Sequence, residues 1–164
     1  MKSVEPSWNH IGSKRNLITA IAPEDWKGEL VTEDANEWGF IGLENKGVIA
    51  IGYANLGLEP RVFVMNDCIL IGINEVVACF DVNTLQHKFS CRVPFIFHEF
   101  IPFGDRIIIR DEIGFVEISK KGDECWRFLT EAPINKFSLE GDRICGETIE
   151  GEKFGFLMPS PSRP

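Results

Sequence analysis

A chain of 164 residues with 44% apolar and 26% charged side chains is long enough for one domain with a buried core, and its thirteen Phe and four Trp argue against disorder. Its 25 acidic against 17 basic side chains leave a net charge of −8, which disfavours nucleic acid and anionic membranes as partners and favours a basic protein. Five cysteines, an odd number with no C-x-x-C pair, sit mostly inside apolar runs and fit a reducing compartment. The first residues, Met1 to Pro6, lack the apolar stretch of a signal peptide, and no run approaches the roughly eighteen apolar residues of a membrane span. The expectation is a soluble cytoplasmic protein.

Residues 1–36 are the least regular. Residues 16–22 read as a strand or a short helix, ended by Pro23. Trp8, Trp26 and Trp38 fall at the margin of the regular region, where their area can cover an open end of the core. Residues 38–43 and 48–53 are two strands of a hairpin, joined by Glu44-Asn45-Lys46-Gly47 with Gly where a positive φ is needed. Residues 55–60 form a loop.

One phrase then recurs. Gly104-Asp105-Arg106-Ile107 returns thirty-seven residues later as Gly141-Asp142-Arg143-Ile144, with Phe100 and Phe137 each four residues before the glycine. Asn66-Asp67-Cys68-Ile69 is a degenerate third copy. A period near forty with strand–turn–strand content marks repeated antiparallel units. Short strands joined by two- to five-residue turns fill residues 62–93, 96–129 and 136–157. The runs Ile69-Leu70-Ile71 and Ile107-Ile108-Ile109 predict strands buried on both faces. The fold class is therefore all-β, antiparallel meanders with little helix. It forms one domain over residues 1–164: a divergent N-terminal part (1–60), β-meander repeats (61–158) and a flexible tail (159–164).

Residues 76–90, with Phe80-Asp81-Val82, a turn and Lys88-Phe89, resemble the repeats of quinoprotein-type propellers, as do residues 114–129 with Trp126. The glycine usual before the last strand is replaced by Gln86 in the first of these. Three clear units are too few to close a ring of four to eight blades. Either residues 16–53 supply a divergent fourth unit of a partial propeller, or the meanders pack face to face as a sandwich or half-open barrel. With three units, face-to-face packing is the expectation.

No nucleophile elbow, P-loop, H-E-x-x-H, dinucleotide fingerprint or EF-hand loop is present. His98-Glu99 is the one suggestive pair, but neighbours on a strand point to opposite faces. The chain reads as no enzyme, with no cofactor and no metal. Placed on the meander, the turns at Asn66-Asp67, Gly104-Asp105 and Gly141-Asp142 share one edge. The alternate turns share the other, which carries Glu75, Asp111, Glu112, Glu147, Glu150 and Glu152, with Arg110 and Lys153 the nearest cations. Such a rim would steer a basic partner. Small size, acidity, unpaired cysteines and a β scaffold without a catalytic set resemble, in overall character, the immunity proteins of polymorphic toxins, including those of contact-dependent growth inhibition. That resemblance implies a partner that is a basic toxin domain, often a nuclease, whose substrate groove the carboxylates would occlude. The alternative is a propeller-like scaffold or small-ligand-sensing module.

Overall fold

The computed structural model describes residues 6–160, so the ends of the N-terminal and C-terminal readings, 1–5 and 161–164, lie outside it. The first sheet holds β1 (Ser7–His10), β2 (Trp26–Val31), β3 (Glu37–Leu43) and β4 (Gly47–Tyr53) in the order β1-β3-β4-β2. The second is β5 (Arg61–Met65), β6 (Cys68–Ile73), β7 (Val76–Asp81) and β8 (His87–Arg92), a meander in sequence order. The third repeats it with β9 (Phe97–Phe103), β10 (Arg106–Asp111), β11 (Gly114–Ile118) and β12 (Glu124–Leu129). The fourth is β13 (Ile134–Glu140), β14 (Arg143–Thr148) and β15 (Lys153–Leu157). All neighbours are antiparallel except β2 and β4, a parallel pair that the sequence did not reveal.

The isoleucine runs explain how the sheets stack. Ile69 and Ile71 pack with Ile41, Ile49 and Ile51 of the first sheet, while Leu70 between them packs with Ile107 and Ile109 of the third. Ile108 points the other way, toward Phe115, Ile134 and Ile144 at the junction with the fourth sheet. Strand alternation thus sends successive residues into successive junctions, and all three of Ile107, Ile108 and Ile109 are buried. The sheets are stacked serially, one junction after another, in a partial-propeller layout. Face-to-face packing of two layers does not occur, because residues 7–53 supply the fourth unit.

The two ends of the stack are finished differently. On the first sheet's outward face, the helix α1 (Lys14–Ala20) lays Leu17 against Trp38 and Ala50. Ser13 caps this helix by accepting the Asn16 N–H at 3.2 Å, which resolves the strand-or-helix ambiguity of residues 16–22. Trp26 and Trp38 belong to this cover, and Trp8 packs against the junction with the second sheet. On the fourth sheet the outward face is a cross-strand ladder in which Glu147 faces Lys136 and Lys153, and Arg143 faces Glu140. A polar face ends a stack of sheets without exposing a core.

The recurring phrase is turn chemistry. Asn66, Gly104 and Gly141 take φ of 54°, 59° and 65° at the first position of equivalent two-residue turns. Glycine or asparagine suits that left-handed backbone, which is why the degenerate copy begins with Asn.

Candidate protein-binding face

Each four-strand meander begins and ends on the same edge, so the links between sheets join the alternate turns there. Hydrogen bonds fix this edge. Phe97 N–H donates to the Asn74 carbonyl, Ile134 N–H to that of Glu112 at 2.9 Å, and Ile149 N–H to that of Pro133 at 2.8 Å. Thr32 and Ala54 are drawn to the same place by the Asn74 side chain. Its Oδ1 accepts from Thr32 Oγ1 (3.1 Å) and Ala54 N–H (2.9 Å), and its Nδ2 donates to the Ala54 carbonyl (2.8 Å). Segments 32–36, 54–60, 74–75, 93–96, 112–113, 130–133 and 149–152 therefore share one face.

Every charged residue in those segments is acidic: Glu33, Asp34, Glu59, Glu75, Glu112, Glu131, Glu150 and Glu152. Cations stand behind them on strand ends, at Arg61, Arg92, Arg110 and Lys153. Arg92 lies 3.8 Å from Glu75 and 4.0 Å from Glu33, all three well exposed, so solvent screens the pairs. The opposite edge mixes signs, with Lys46, Lys120 and Lys121 among its carboxylates and Lys88 bridging Asp67 (3.0 Å) and Asp81 (3.1 Å). Large apolar side chains are exposed on the acidic face as well: Val31, Leu56 (53%), Leu129 and Ile149 (63%).

Four of the six carboxylates expected at this rim are there. Glu75, Glu150 and Glu152 are exposed in their turns, and Glu112 is half-buried between β10 and β11. Glu147 belongs instead to the ladder on the fourth sheet, 3.5 Å from Lys136. Asp111 is a correction: it is fully buried. It shares strand parity with Ile107 and Ile109, so it turns inward with them, and its Oδ1 accepts the Ile113 N–H at 3.1 Å. Sequence reasoning missed Glu33, Asp34, Glu59 and Glu131 because it followed the turns and ignored the links. Counting four strands per unit would have returned each link to this edge.

Asn74, Asp111 and Thr148 are thirty-seven residues apart and occupy the same place in three units. Each uses its side chain to hold the face together, Thr148 by accepting the Glu152 N–H at 3.2 Å. Removing such a partner leaves backbone groups unsatisfied. Asn74→Ala is expected to cost about 1–3 kcal/mol in urea unfolding, with faster amide exchange at Ala54.

Burial raises the Asp111 carboxyl above its ordinary range, against the pull of the Ile113, Gly114 and Phe95 N–H groups and the Arg127 charge. A carboxyl whose folded pKa exceeds its unfolded one contributes most stability below the unfolded value, and that contribution is lost as pH rises through the folded value. Asp111→Asn keeps an acceptor for Ile113. The difference in unfolding free energy between parent and variant should shift in the variant's favour from acid to neutral pH; a pH-independent difference would remove this role.

His98 and Glu99 both reach Arg110, contrary to the expectation for strand neighbours. The cause is a bulge: Arg110 pairs with Glu99 and Asp111 with Phe97, leaving His98 as the extra residue in β9. Arg110 Nε donates to Glu99 Oε1 at 2.8 Å, and its Nη2 lies 3.1 Å from His98 Nδ1. Burial, then the Arg110 charge, lowers the His98 pKa, so the neutral ring accepts at Nδ1. Arg110 is thereby engaged and does not neutralise the rim. In the recurring phrase, Arg106 is likewise engaged: its Nε donates to Glu117 Oε2 at 3.0 Å, and the Trp126 indole N–H donates to the same oxygen. Arg143, its counterpart, is exposed.

No family model matches the chain, and no curated protein matches it. Among solved structures, the computationally designed Ika4 protein aligns with a TM-score of 0.52 at 6% identity over 81% of this chain and 91% of that one. The designed Ika8 protein aligns at 0.51 and 6% identity, covering 80% of this chain and 45% of that one. BBS1N, in its complex with ARL6DN, aligns at 0.50 and 11% identity, covering 77% of this chain and 44% of that one. The chain thus spans less than half the length of the last two. At such identities the likeness is one of fold, and the fold is all-β and propeller-like.

Proposed function

We propose that this chain is a protein-binding module that docks a basic partner on its acidic face, and that the partner is a toxin domain which the chain neutralises. The observation that carries this reading is the charge of the turn-and-link face, where all eight charged residues of the turns and links are acidic and stand with exposed Leu56 and Ile149, while exposed Val31 and Leu129 adjoin them on strand ends, as do Arg92 and Lys153. Apolar anchors supply affinity and complementary charge supplies on-rate and orientation, which is the composition of a tight interface. A nuclease toxin is a basic protein because it must bind phosphate backbones, so its substrate groove complements this face. The chain then acts by occupancy rather than catalysis. Five free thiols suit action in the cytoplasm, where a neutralising protein would meet its toxin.

The test is binding to a basic nuclease toxin domain. The reading expects a tight complex that weakens with salt and a toxin whose nuclease activity is lost in the complex. A complex that forms without loss of activity would leave a scaffold and remove the neutralising role.

A further inference from the structure

The first three sheets each have four strands, whereas the fourth has three among the described residues. Its last strand, β15, corresponds to β7 and β11, whose outer sides are covered by β8 and β12. The consequence shows in burial. The inward-facing Phe154 and Phe156 of β15 are only half-buried, where their counterparts Val116 and Ile118 in β11 are buried; Lys153, Gly155 and Leu157 are exposed on the outward face of the last sheet.

β15 also lacks the features that keep sheet edges from pairing. It matches β14 from Lys153 to Leu157 without a register shift, contains no proline and carries one charge, Lys153. By contrast β8 and β12, the outer strands of the second and third sheets, join their neighbours through register shifts and carry two charges each, Lys88 and Arg92 in β8 and Glu124 and Arg127 in β12. Beside the start of β15 a groove of about 540 Å³ has Phe128 and Phe154 among its walls, flanked by Leu129, the carboxylates Glu131 and Glu152, and one cation, Lys153. This groove opens on the acidic face.

We propose that β15 accepts a fourth strand from the basic partner, an extended segment with apolar side chains at alternate positions and a Lys or Arg at its C-terminal end. This rests on the reading of the acidic face as the docking surface. The chain's own outer strands give the pattern: Phe89 and Cys91 in β8, and Trp126 and Phe128 in β12, are the half-buried alternate residues that pack inward. An incoming antiparallel strand runs toward the acidic face, so its C-terminal cation arrives at Glu131 and Glu152. Main-chain hydrogen bonds would supply the register and the carboxylates the direction.

The probe is a synthetic hexapeptide, capped at both ends, with Trp and Phe at alternate positions and two C-terminal lysines, titrated into the full chain and followed by amide NMR. The proposal expects shifts and slowed exchange at Phe154, Gly155, Phe156 and Leu157, and affinity about tenfold lower after Glu131→Lys with Glu152→Lys. A peptide N-methylated on the amides that face β15 should not bind. Equal binding of the N-methylated peptide, or no binding of either, overturns strand addition. Shifts confined to Glu75 and Glu112 also overturn it while leaving the acidic face as a docking surface. An acidic face whose charge reversal leaves toxin binding unchanged would remove the broader reading, independently of the peptide.

Discussion

Phe115→Ala is expected to lower the free energy of unfolding by about 3–5 kcal/mol, a large share of the roughly 5–15 kcal/mol that holds a domain folded. Phe115 is fully buried, and its ring meets Phe137 at 5.3 Å, Phe156 at 5.8 Å and Phe154 at 6.1 Å between centroids. It joins the third sheet to the fourth, so truncation opens a cavity at one junction and leaves the other two intact. Serially stacked units contribute through nearest-neighbour interfaces. Amide exchange should therefore accelerate in β13, β14 and β15 before it does in β5, β6, β7 and β8. Urea titration gives the first quantity and hydrogen exchange the second; a loss below about 1 kcal/mol, or exchange that rises uniformly, would contradict serial packing.

Much of that packing was legible in the residues. A run of three isoleucines cannot alternate between core and solvent on a strand, so Ile107, Ile108 and Ile109 announced burial on both faces. The thirty-seven-residue spacing fixed equivalent turns, and the Asn-for-Gly exchange at Asn66 kept the same backbone. What was not legible depended on contacts distant in sequence. The parallel pairing of β2 with β4 has no local pattern, and it decides whether residues 7–53 count as a unit. The bulge at His98 is equally silent in sequence, yet it brings two neighbours to one arginine.

At the face, charge placement was half legible for a similar reason. Turn residues such as Glu75, Glu150 and Glu152 are solvated by default, and they are exposed here. Asp111 stands at the margin of a turn, where the last strand residue still obeys the parity of Ile107 and Ile109. The recurrence of Asn74, Asp111 and Thr148 at the same spacing was available as a warning, since polar groups that recur in register within a repeat often hold it together. Glu147 obeys the opposite parity and joins the ladder with Lys136.

Replacing Glu75, Glu112, Glu150 and Glu152 together by Lys is expected to weaken binding of a basic partner by about a hundredfold, mostly through a slower association rate. None of the four lies in a core cluster, and among the described residues only Glu75 forms an ion pair, with the exposed Arg92 at 3.8 Å. Stability should therefore change little, surface substitutions of this kind falling within about 0.5 kcal/mol each. Asp111 and Glu147 make useful contrasts, because Asp111 is buried and Glu147 belongs to the ladder with Lys136 rather than to the acidic face: Glu147→Gln should leave affinity within about twofold of the parent. The apolar anchors act on the other rate. Ile149→Ala should speed dissociation and leave association unchanged.

The most direct measurement is the association rate with a basic toxin domain, the partner proposed above, as a function of ionic strength, for the parent chain and the four-lysine variant. Docking on the acidic face predicts a fast parent rate that falls steeply with salt and converges on the slow, nearly salt-independent rate of the variant. A parent rate indifferent to salt, or a variant that associates as fast as the parent, would contradict it.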